Sequence, residues 1–147
     1  MSGTVLLDTH VWAWSLLGVG LTAGARLAME TAAITMVSPV SMFEICQKVR
    51  LGKWPDMEPK VPTLQDALAA QGGRWADVTP DLARLAGSLD WPHRDPFDRL
   101  LAATALVNGW PLISADPAFD SLTGLRRVWK QGCKKGRGLP RPLYGVA

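Results

Sequence analysis

The chain has 147 residues, of which 48% are hydrophobic and 20% charged, the size and composition of one ordinary globular domain. These values exclude a repeat array, a fibrous protein and a largely disordered chain. The charge is uneven, because seven of the 16 Lys and Arg residues follow Asp120 and no acidic residue does, so a net acidic body precedes a basic end.

Strand and helix patterns alternate along most of the chain. In order, they predict a strand at 4–7, helices at 11–17 and 22–33, a strand at 34–38, helices at 39–50 and 63–71, a strand at 75–78, helices at 80–89 and 96–107, and strands at 111–114 and 125–129. Pro55, Pro59 and Pro62 predict a loop before the fourth helix. The alternation predicts an α/β sandwich with a mostly parallel sheet.

The N-terminal segment is apolar enough to resemble a signal peptide. Residues 5–21 lack a basic leading segment and contain Asp8 and His10, so we interpret them as a strand and a helix and not as a signal peptide. Elsewhere the sequence does not reach the roughly 18 uninterrupted apolar residues that a membrane-spanning helix needs. We therefore expect a cytoplasmic protein with no membrane partner.

Acidic residues fall where an α/β sheet places its sites. Asp8 and Asp116 each follow a predicted strand, and the carboxyl ends of parallel strands meet at one edge, where ligands bind. Glu44 lies inside a predicted helix, and Asp98 lies in the first turn of another. Clustered carboxylates repel one another unless a divalent cation such as Mg²⁺ or Mn²⁺ neutralises them. These acids suit a metal site for phosphodiester hydrolysis.

Each acid also has a structural explanation. Asp95 and Asp116 precede prolines and suit helix or turn caps, and Asp8 suits the cap of the helix after it. Asp98 favours the positive end of a helix dipole. Glu44 stands four residues before a lysine, a spacing typical of a surface ion pair. Residue types and spacing alone leave metal binding and these structural roles open.

Four segments together carry a resemblance to a known family. They are VLLDTHVWAW at 5–14, SPVSMFEI at 38–45 followed by Lys48 and Leu51-Gly52-Lys53, HRDPFDRLLAA at 93–103, and Ser114-Ala115-Asp116 with Phe119. Their order and spacing resemble the successive motifs of PIN-domain proteins, in particular the VapC-type toxins of bacterial toxin–antitoxin pairs. The resemblance covers about residues 4–129 and implies a PIN-like three-layer α/β/α sandwich with a mostly parallel central sheet.

The resemblance also implies a set of site residues. By motif, the catalytic and metal-binding acids are Asp8, Glu44, Asp98 and Asp116. The implied cofactor is Mg²⁺, with Mn²⁺ as an alternative. Asp98 is preferred to Asp95 because it holds the family's aspartate position just before the apolar helical run, which leaves Asp95 as an N-cap with a secondary, water-mediated reach to the metal. The hydroxyls of Thr9 and Ser114 either orient water or phosphate or satisfy the turn backbone.

The activity implied by the resemblance is that of an Mg²⁺-dependent endoribonuclease, the toxin component of a toxin–antitoxin module, which hydrolyses RNA phosphodiester bonds with a metal-activated water. The implied partners are RNA, a VapB-type antitoxin that occludes or disrupts the acidic site, and a second copy of the chain in a homodimer. Two alternatives stay open. One is a PIN-domain nuclease that acts in RNA processing or on DNA, and the other is a non-catalytic PIN-like domain that binds RNA or protein.

The resemblance fades after Trp129, which divides the chain into a PIN domain at 1–129 and a basic Gly/Pro-rich tail at 130–147. The tail suits three roles equally: following an RNA backbone, remaining solvated, or docking on an acidic antitoxin. The candidate RNA-binding residues are Arg94, Lys130, Lys134, Lys135 and Arg137. His93 lies beside the site and suits a phosphate contact, but we favour its interpretation as a loop residue packed by its neighbours. Trp54 is a candidate for partner contact.

Overall fold

The computed structural model describes residues 3–130. Its strands are β1 (Thr4–Leu7), β2 (Ile34–Val37), β3 (Arg74–Trp75), β4 (Leu112–Ile113) and β5 (Arg127–Val128). Its helices are α1 (Thr9–Leu17), α2 (Ala23–Thr31), α3 (Pro39–Arg50), α4 (Leu64–Ala70), α5 (Pro80–Ser88) and α6 (Pro96–Asn108). The proposed tail beyond residue 130, with Lys134, Lys135 and Arg137, lies outside the described residues.

The five strands form one sheet in the order β3-β2-β1-β4-β5. Each neighbouring pair is parallel, and β1 lies at the centre, where Leu6 aligns with Met36 on one side and with Leu112 on the other. The predicted parallel sheet is confirmed. Because all strands run the same way, their carboxyl ends share one edge, and the residues that follow β1 and β4 are neighbours there.

Alternate residues of β1 supply two hydrophobic cores on opposite faces of the sheet. Val5 and Leu7 pack with residues of α1 to α4 on one face, whereas Leu6 packs with α6 on the other. The α5 helix in turn packs on α6. Strands covered on both faces read as continuous apolar runs, as the VLL segment of β1 does. The predicted three-layer α/β/α sandwich is confirmed.

The capping groups at the helix ends explain why the helix boundaries were largely predictable from the sequence. At the start of α6, Asp95 Oδ1 accepts hydrogen bonds from the Phe97 and Asp98 amides at 2.8 and 3.4 Å. At its end, Gly109 has a φ of +70°, a conformation that glycine adopts without strain. The predicted N-cap role of Asp95 is confirmed.

The proline-rich segment differs from the prediction. It is not an irregular loop but a 3₁₀ helix at Pro55–Thr63, and its Met57 side chain is fully buried. Proline fixes φ near the value that a 3₁₀ helix requires, so spaced prolines are compatible with this conformation. The strand predicted at 75–78 begins one residue earlier and is shorter, at Arg74–Trp75. No helix within residues 3–130 is both long enough and apolar enough to cross a membrane.

Candidate active site

Asp8 lies at the carboxyl end of the central strand and is buried, with 6% of its surface exposed. Its amide donates to the Ile113 carbonyl at 3.0 Å, which continues the pairing of β1 with β4. Although it occupies the N-cap position of α1, its side chain makes no capping hydrogen bond. Instead, its Oδ2 accepts a hydrogen bond from Ser114 Oγ at 2.6 Å. The proposed capping role of its side chain is therefore wrong, and the carboxylate faces the sheet edge.

The surroundings of Asp8 disfavour the ionised form of its carboxyl group. Burial raises the pKa of its carboxyl, and the nearby Glu44 carboxylate raises it further, while the hydrogen bond from Ser114 acts in the opposite direction. The hydrogen bond does not outweigh the loss of water. An ionised Asp8 is therefore a group that gains from a nearby cation.

Glu44 lies on α3 and is also buried, with 4% exposed. Lys48 Nζ lies 3.0 Å from its Oε2, so the predicted ion pair exists, but its acidic partner is not on the surface as that explanation required. The second oxygen, Oε1, is buried and has no hydrogen-bond partner among the described residues. A buried carboxylate oxygen without a partner is costly and uncommon. It is the kind of oxygen that binds a cation.

Asp98 lies in the first turn of α6, next to the cap formed by Asp95. Its Oδ2 lies 2.7 Å from His93 Nε2. Burial raises the pKa of Asp98 to about 6, and the charges of Asp8 and Asp95 raise it as well, against the opposing effect of His93. The contribution of Asp8 to this shift agrees with the position of both residues at the same edge of the sheet.

Asp116 begins a short 3₁₀ helix at Pro117–Ser121 after β4. Its Oδ1 accepts a hydrogen bond from the Ala118 amide at 2.9 Å, so its predicted capping role is confirmed. Its own amide donates to Ser114 Oγ at 3.0 Å. One ligand atom from each of His93, Asp98 and Asp116 lies within 4.8 Å of the others. Capping and membership of the acidic cluster are therefore compatible in this residue.

The other predicted site residues divide into two kinds. The Ser114 hydroxyl is fully buried and lies between Asp8 and Asp116. Thr9 is also fully buried, but its hydroxyl pairs with Ser41 Oγ at 2.7 Å and makes no hydrogen bond to an acid of the cluster. Arg94 and Lys130 have exposed side chains. These two predicted RNA contacts lie on the surface and remain predictions.

Two contributors were missed by the sequence reasoning. His93 was interpreted as a packed loop residue, yet its ring nitrogen contacts Asp98. Arg99 was not considered, yet its guanidinium donates to four backbone carbonyls of the segment before α6, those of Ala86, Leu89, Trp91 and His93. The HRDPFDR motif contains both residues, but a contact with a backbone carbonyl leaves no trace in residue types.

The donor set fits a divalent cation. Asp98 and Asp116 have ligand atoms within 4.8 Å of each other, whereas Asp8 and Glu44 are not members of that group. Asp8 is linked to Asp116 through Ser114, and Glu44 acts on Asp8 through its charge. Carboxylate oxygens of this kind suit Mg²⁺ and Mn²⁺. Oε1 of Glu44, which has no hydrogen-bond partner within residues 3–130, is available as a ligand atom. Positive charge nearby would favour the ionisation of Asp8 and Asp98 together, against the raised pKa values of these two acids.

The fold and the site together define an α/β protein with a cluster of acidic side chains at the edge of a parallel sheet where the strands end. Clusters of this kind are suited to binding metal ions. The family model of the PIN domain matches residues 5–125. Ribonuclease VapC22 of Mycobacterium tuberculosis is 35% identical over 122 residues, which cover 80% of this chain and 91% of that protein. The chain therefore belongs to the PIN-domain family, and the resemblance seen in its motifs is confirmed.

Solved structures agree with the fold. A toxin–antitoxin complex from Klebsiella pneumoniae has a chain with a TM-score of 0.55 and 17% identity, over 82% of this chain and 94% of that one. A chain of VapBC2 from Rickettsia felis, crystallised with a DNA fragment from its promoter, has a TM-score of 0.59 and 14% identity, over 86% and 99%. At such identities the likeness shows a shared fold.

Proposed function

We propose that this protein is an Mg²⁺-dependent endoribonuclease, the toxin of a toxin–antitoxin pair, with Mn²⁺ as an effective substitute. The proposed ligand and catalytic set consists of Asp8, Glu44, Asp98 and Asp116. One observation carries the proposal: within the described residues, Oε1 of Glu44 is buried and has no hydrogen-bond partner, and the charge of Glu44 raises the pKa of the neighbouring Asp8. The similarity to a protein named as a ribonuclease supports RNA as the substrate.

When bound, the divalent cation lowers the pKa of a coordinated water and offsets negative charge on the phosphate. The protein's part is to hold the carboxylates in place. Ser114 donates to Oδ2 of Asp8 and thereby fixes the orientation of that carboxylate. Lys48 holds Oε2 of Glu44 and leaves Oε1 for the cation. Asp95 holds the start of α6, and with it Asp98, through its capping bonds.

The nucleophile is water. The hydroxyls of Thr9, which follows Asp8, and of Ser114, which donates a hydrogen bond to Asp8, are both fully buried. Ser114 Oγ already donates to Asp8 and accepts from the Asp116 amide, and Thr9 Oγ1 is paired with Ser41. A hydroxyl used in this way is poorly placed to attack a phosphate of RNA, so hydrolysis by water explains the site better than a covalent intermediate.

The partners follow from the same comparisons. Both solved neighbours are named as toxin–antitoxin assemblies, which supports a VapB-type antitoxin as the inhibitor of this chain. We also propose that the protein forms a homodimer and acts in the cytoplasm. Arg94 and Lys130 are exposed cations suited to RNA phosphates. The remaining proposed RNA contacts, Lys134, Lys135 and Arg137, lie in the proposed tail at 130–147.

The test uses the purified full chain with single-stranded RNA. We expect cleavage with Mg²⁺ or Mn²⁺ that stops in excess EDTA and in the Asp8→Asn and Asp98→Asn variants. The matched control is Asp81→Asn, which removes an exposed acid on α5 that is 91% accessible and should leave cleavage unchanged. Cleavage that persists in EDTA, or in both site variants, would contradict the proposal.

The toxin role needs a test in cells. Expression of the chain should arrest growth, and co-expression of the product of a short neighbouring reading frame should restore it. The Asp98→Asn variant should be harmless at the same expression level. Growth without arrest, combined with cleavage of RNA by the purified protein, would instead favour a nuclease that acts in RNA processing.

A further inference from the structure

Arg99 binds the last turn of α5 and the segment that links α5 to α6 through its guanidinium group. Nε donates to the Ala86 carbonyl at 2.8 Å, and Nη2 donates to the Leu89 carbonyl at 2.6 Å. Nη1 donates to the carbonyls of Trp91 and His93 at 2.7 and 2.8 Å. A guanidinium is planar and offers five N–H donors in a fixed arrangement, so four simultaneous acceptors define the path of this segment closely.

The same segment places His93 against the acidic cluster. His93 Nε2 lies 2.7 Å from Asp98 Oδ2, and the ring packs near Trp91 and Phe119, with centroid separations of 4.8 and 6.3 Å. Trp91 is itself held, because its Nε1 donates to Ser121 Oγ at 3.0 Å. The imidazole is thus fixed by its own backbone, by packing and by one hydrogen bond to a site carboxylate.

The atoms involved indicate what His93 does. An ionised carboxylate only accepts hydrogen bonds, so the imidazole donates from Nε2 to Oδ2 of Asp98. That bond occupies Oδ2 and leaves Oδ1 outside the contact with His93. Mg²⁺ and Mn²⁺ prefer oxygen ligands, whereas imidazole is the better ligand for later transition metals. Hydrogen bonds to ligand side chains orient those ligands and contribute to metal affinity.

We infer that His93 and Arg99 are positioning residues of this active site: Arg99 fixes the segment at 86–93, and His93 orients Asp98 so that Oδ1 is presented to the divalent cation. The inference rests on the proposed function for the identity of the cation. The competing assignment makes His93 itself a ligand, since its ring nitrogen belongs to the group within 4.8 Å that also contains Asp98 and Asp116.

The first measurement needs no metal and no RNA. The chain has two histidines, so nitrogen NMR of the imidazoles resolves His93 once the His93→Gln spectrum identifies its signals. We expect the metal-free wild-type protein to carry its proton on Nε2 of His93, in a signal protected from exchange. A neutral His93 protonated on Nδ1 would overturn the inference whatever becomes of the nuclease proposal.

The second measurement is calorimetric titration with Mn²⁺ alone. His93→Gln keeps an N–H donor, and we expect it to keep most of the affinity, whereas His93→Ala should lose about tenfold. Equal losses in the two variants would make His93 a ligand and overturn the inference, as would full affinity in His93→Ala. If wild type shows the Nε2 proton but binds no Mn²⁺, the nuclease proposal fails and the inferred link to a cation fails with it.

Arg99 is tested by Arg99→Lys, which keeps the charge but cannot reach four carbonyls. The matched control is Arg84→Lys on α5, where the side chain is 77% exposed. We expect a folded Arg99→Lys protein to lose the protected His93 signal and to bind Mn²⁺ about tenfold more weakly, with no change in Arg84→Lys. A folded variant with both properties intact would overturn the role of Arg99. Should Arg99→Lys not fold, Arg99→Gln is measured in the same way. The His93 variants test the role of His93 independently of Arg99.

Discussion

Ser114 Oγ donates a 2.6 Å hydrogen bond to Asp8 Oδ2, which links residues 106 positions apart in the chain. The same hydroxyl accepts a hydrogen bond from the Asp116 amide at 3.0 Å. A single buried side chain therefore connects the acids that follow β1 and β4. These strands are neighbours at the centre of the sheet, so the spacing of the two acids is set by the fold and adjusted by one hydroxyl.

Ser114→Ala tests this link. Its removal leaves Oδ2 of Asp8 and the Asp116 amide without their partner, and unsatisfied buried groups cost about 1–3 kcal/mol. It also removes an interaction that lowers the pKa of Asp8. We expect lower stability in urea and weaker RNA cleavage, with the pH dependence of cleavage moved towards higher pH. Ser88→Ala, at an exposed position of α5, is the control, and equal behaviour of the two variants would contradict the prediction.

Asp98 gives the metal-free protein a characteristic dependence on pH. Its folded-state pKa of about 6 lies above the ordinary 3.8, so its ionised form destabilises the folded state. That penalty is fully present above about pH 6 and is relieved as the pH falls towards 3.8. With allowance for screening by solvent, we expect Asp98→Asn to be about 1–2 kcal/mol more stable than wild type at neutral pH.

The measurement is urea unfolding in EDTA across this pH range. The advantage of Asp98→Asn over wild type should shrink as the pH is lowered, because the wild-type carboxyl becomes neutral as well. Asp81→Asn changes an exposed acid and should show no such trend. An Asp98→Asn protein less stable than wild type at neutral pH would show that this carboxylate stabilises the fold.

Divalent metal should reverse that penalty. A ligand that binds only the folded state stabilises it by RT ln(1 + [L]/Kd), which is about 1.4 kcal/mol at ten times Kd. We therefore expect Mg²⁺ to raise the Tm of the wild-type protein by several degrees, and excess EDTA to cancel the effect. Asp8→Asn and Asp98→Asn should respond much less, and Asp81→Asn should respond fully. An equal rise in all four proteins, measured by calorimetry, would point to a non-specific salt effect.

The sequence predicted the acids because their positions depend on local structure. Asp8 and Asp116 follow strands whose apolar runs are easily seen, and the parallel sheet then places both at one edge. Capping signals predicted that Asp95 caps α6, and it does, whereas the preference for Asp98 as a metal ligand came from the resemblance to PIN-domain motifs. Periodicity and capping therefore recover most of the helices and strands, whereas the choice of the four acids as one site depended on the family resemblance.

The sequence did not reveal what fixes the acids in place. The hydrogen bond of His93 and the four carbonyl contacts of Arg99 depend on the path of an irregular segment, and residue types do not encode that path. Trp54 was expected to be available to a partner. Its side chain is half-buried, with its ring stacked on His10 at 4.8 Å and Lys48 at 5.7 Å from its centre, and contact with a partner stays a prediction.

Two glycines give a matched pair for testing the packing of the fold. A Cβ at Gly73 would lie 2.4 Å from Leu68 Cδ1 and 3.0 Å from the Thr35 carbonyl oxygen, whereas a Cβ at Gly87, inside α5, would meet open space. We expect Gly73→Ala to destabilise the protein by about 1–3 kcal/mol through overpacking. Gly87→Ala should stabilise it by about 0.5–1 kcal/mol through helix propensity. Urea unfolding of both variants measures the change in the free energy of unfolding. A change of the same sign in both variants would contradict the packing around Gly73.

Arg127 was counted among the basic residues of the C-terminal region, but its side chain is engaged within the fold. Nε and Nη2 bind the two carboxylate oxygens of Asp120 at 2.8 and 2.9 Å, and Nη1 donates to the Ser114 carbonyl at 3.0 Å. The arginine thus attaches β5 to the segment that carries Asp116. Its hydrogen bonds also hold the pKa of Asp120 below the ordinary value.

Arg127→Lys should therefore weaken the site more than the fold. Asp120 is partly exposed, so loss of the two-pronged pair costs about 1 kcal/mol or less. That stability is present above the ordinary pKa of 3.8 and is lost as the pH falls through the lower folded-state value. Cleavage should fall further than stability, because Ser114 and Asp116 lose a support. The control is Arg126→Lys at an exposed neighbouring position, and an equal loss of cleavage in both variants would instead assign the two arginines to RNA binding.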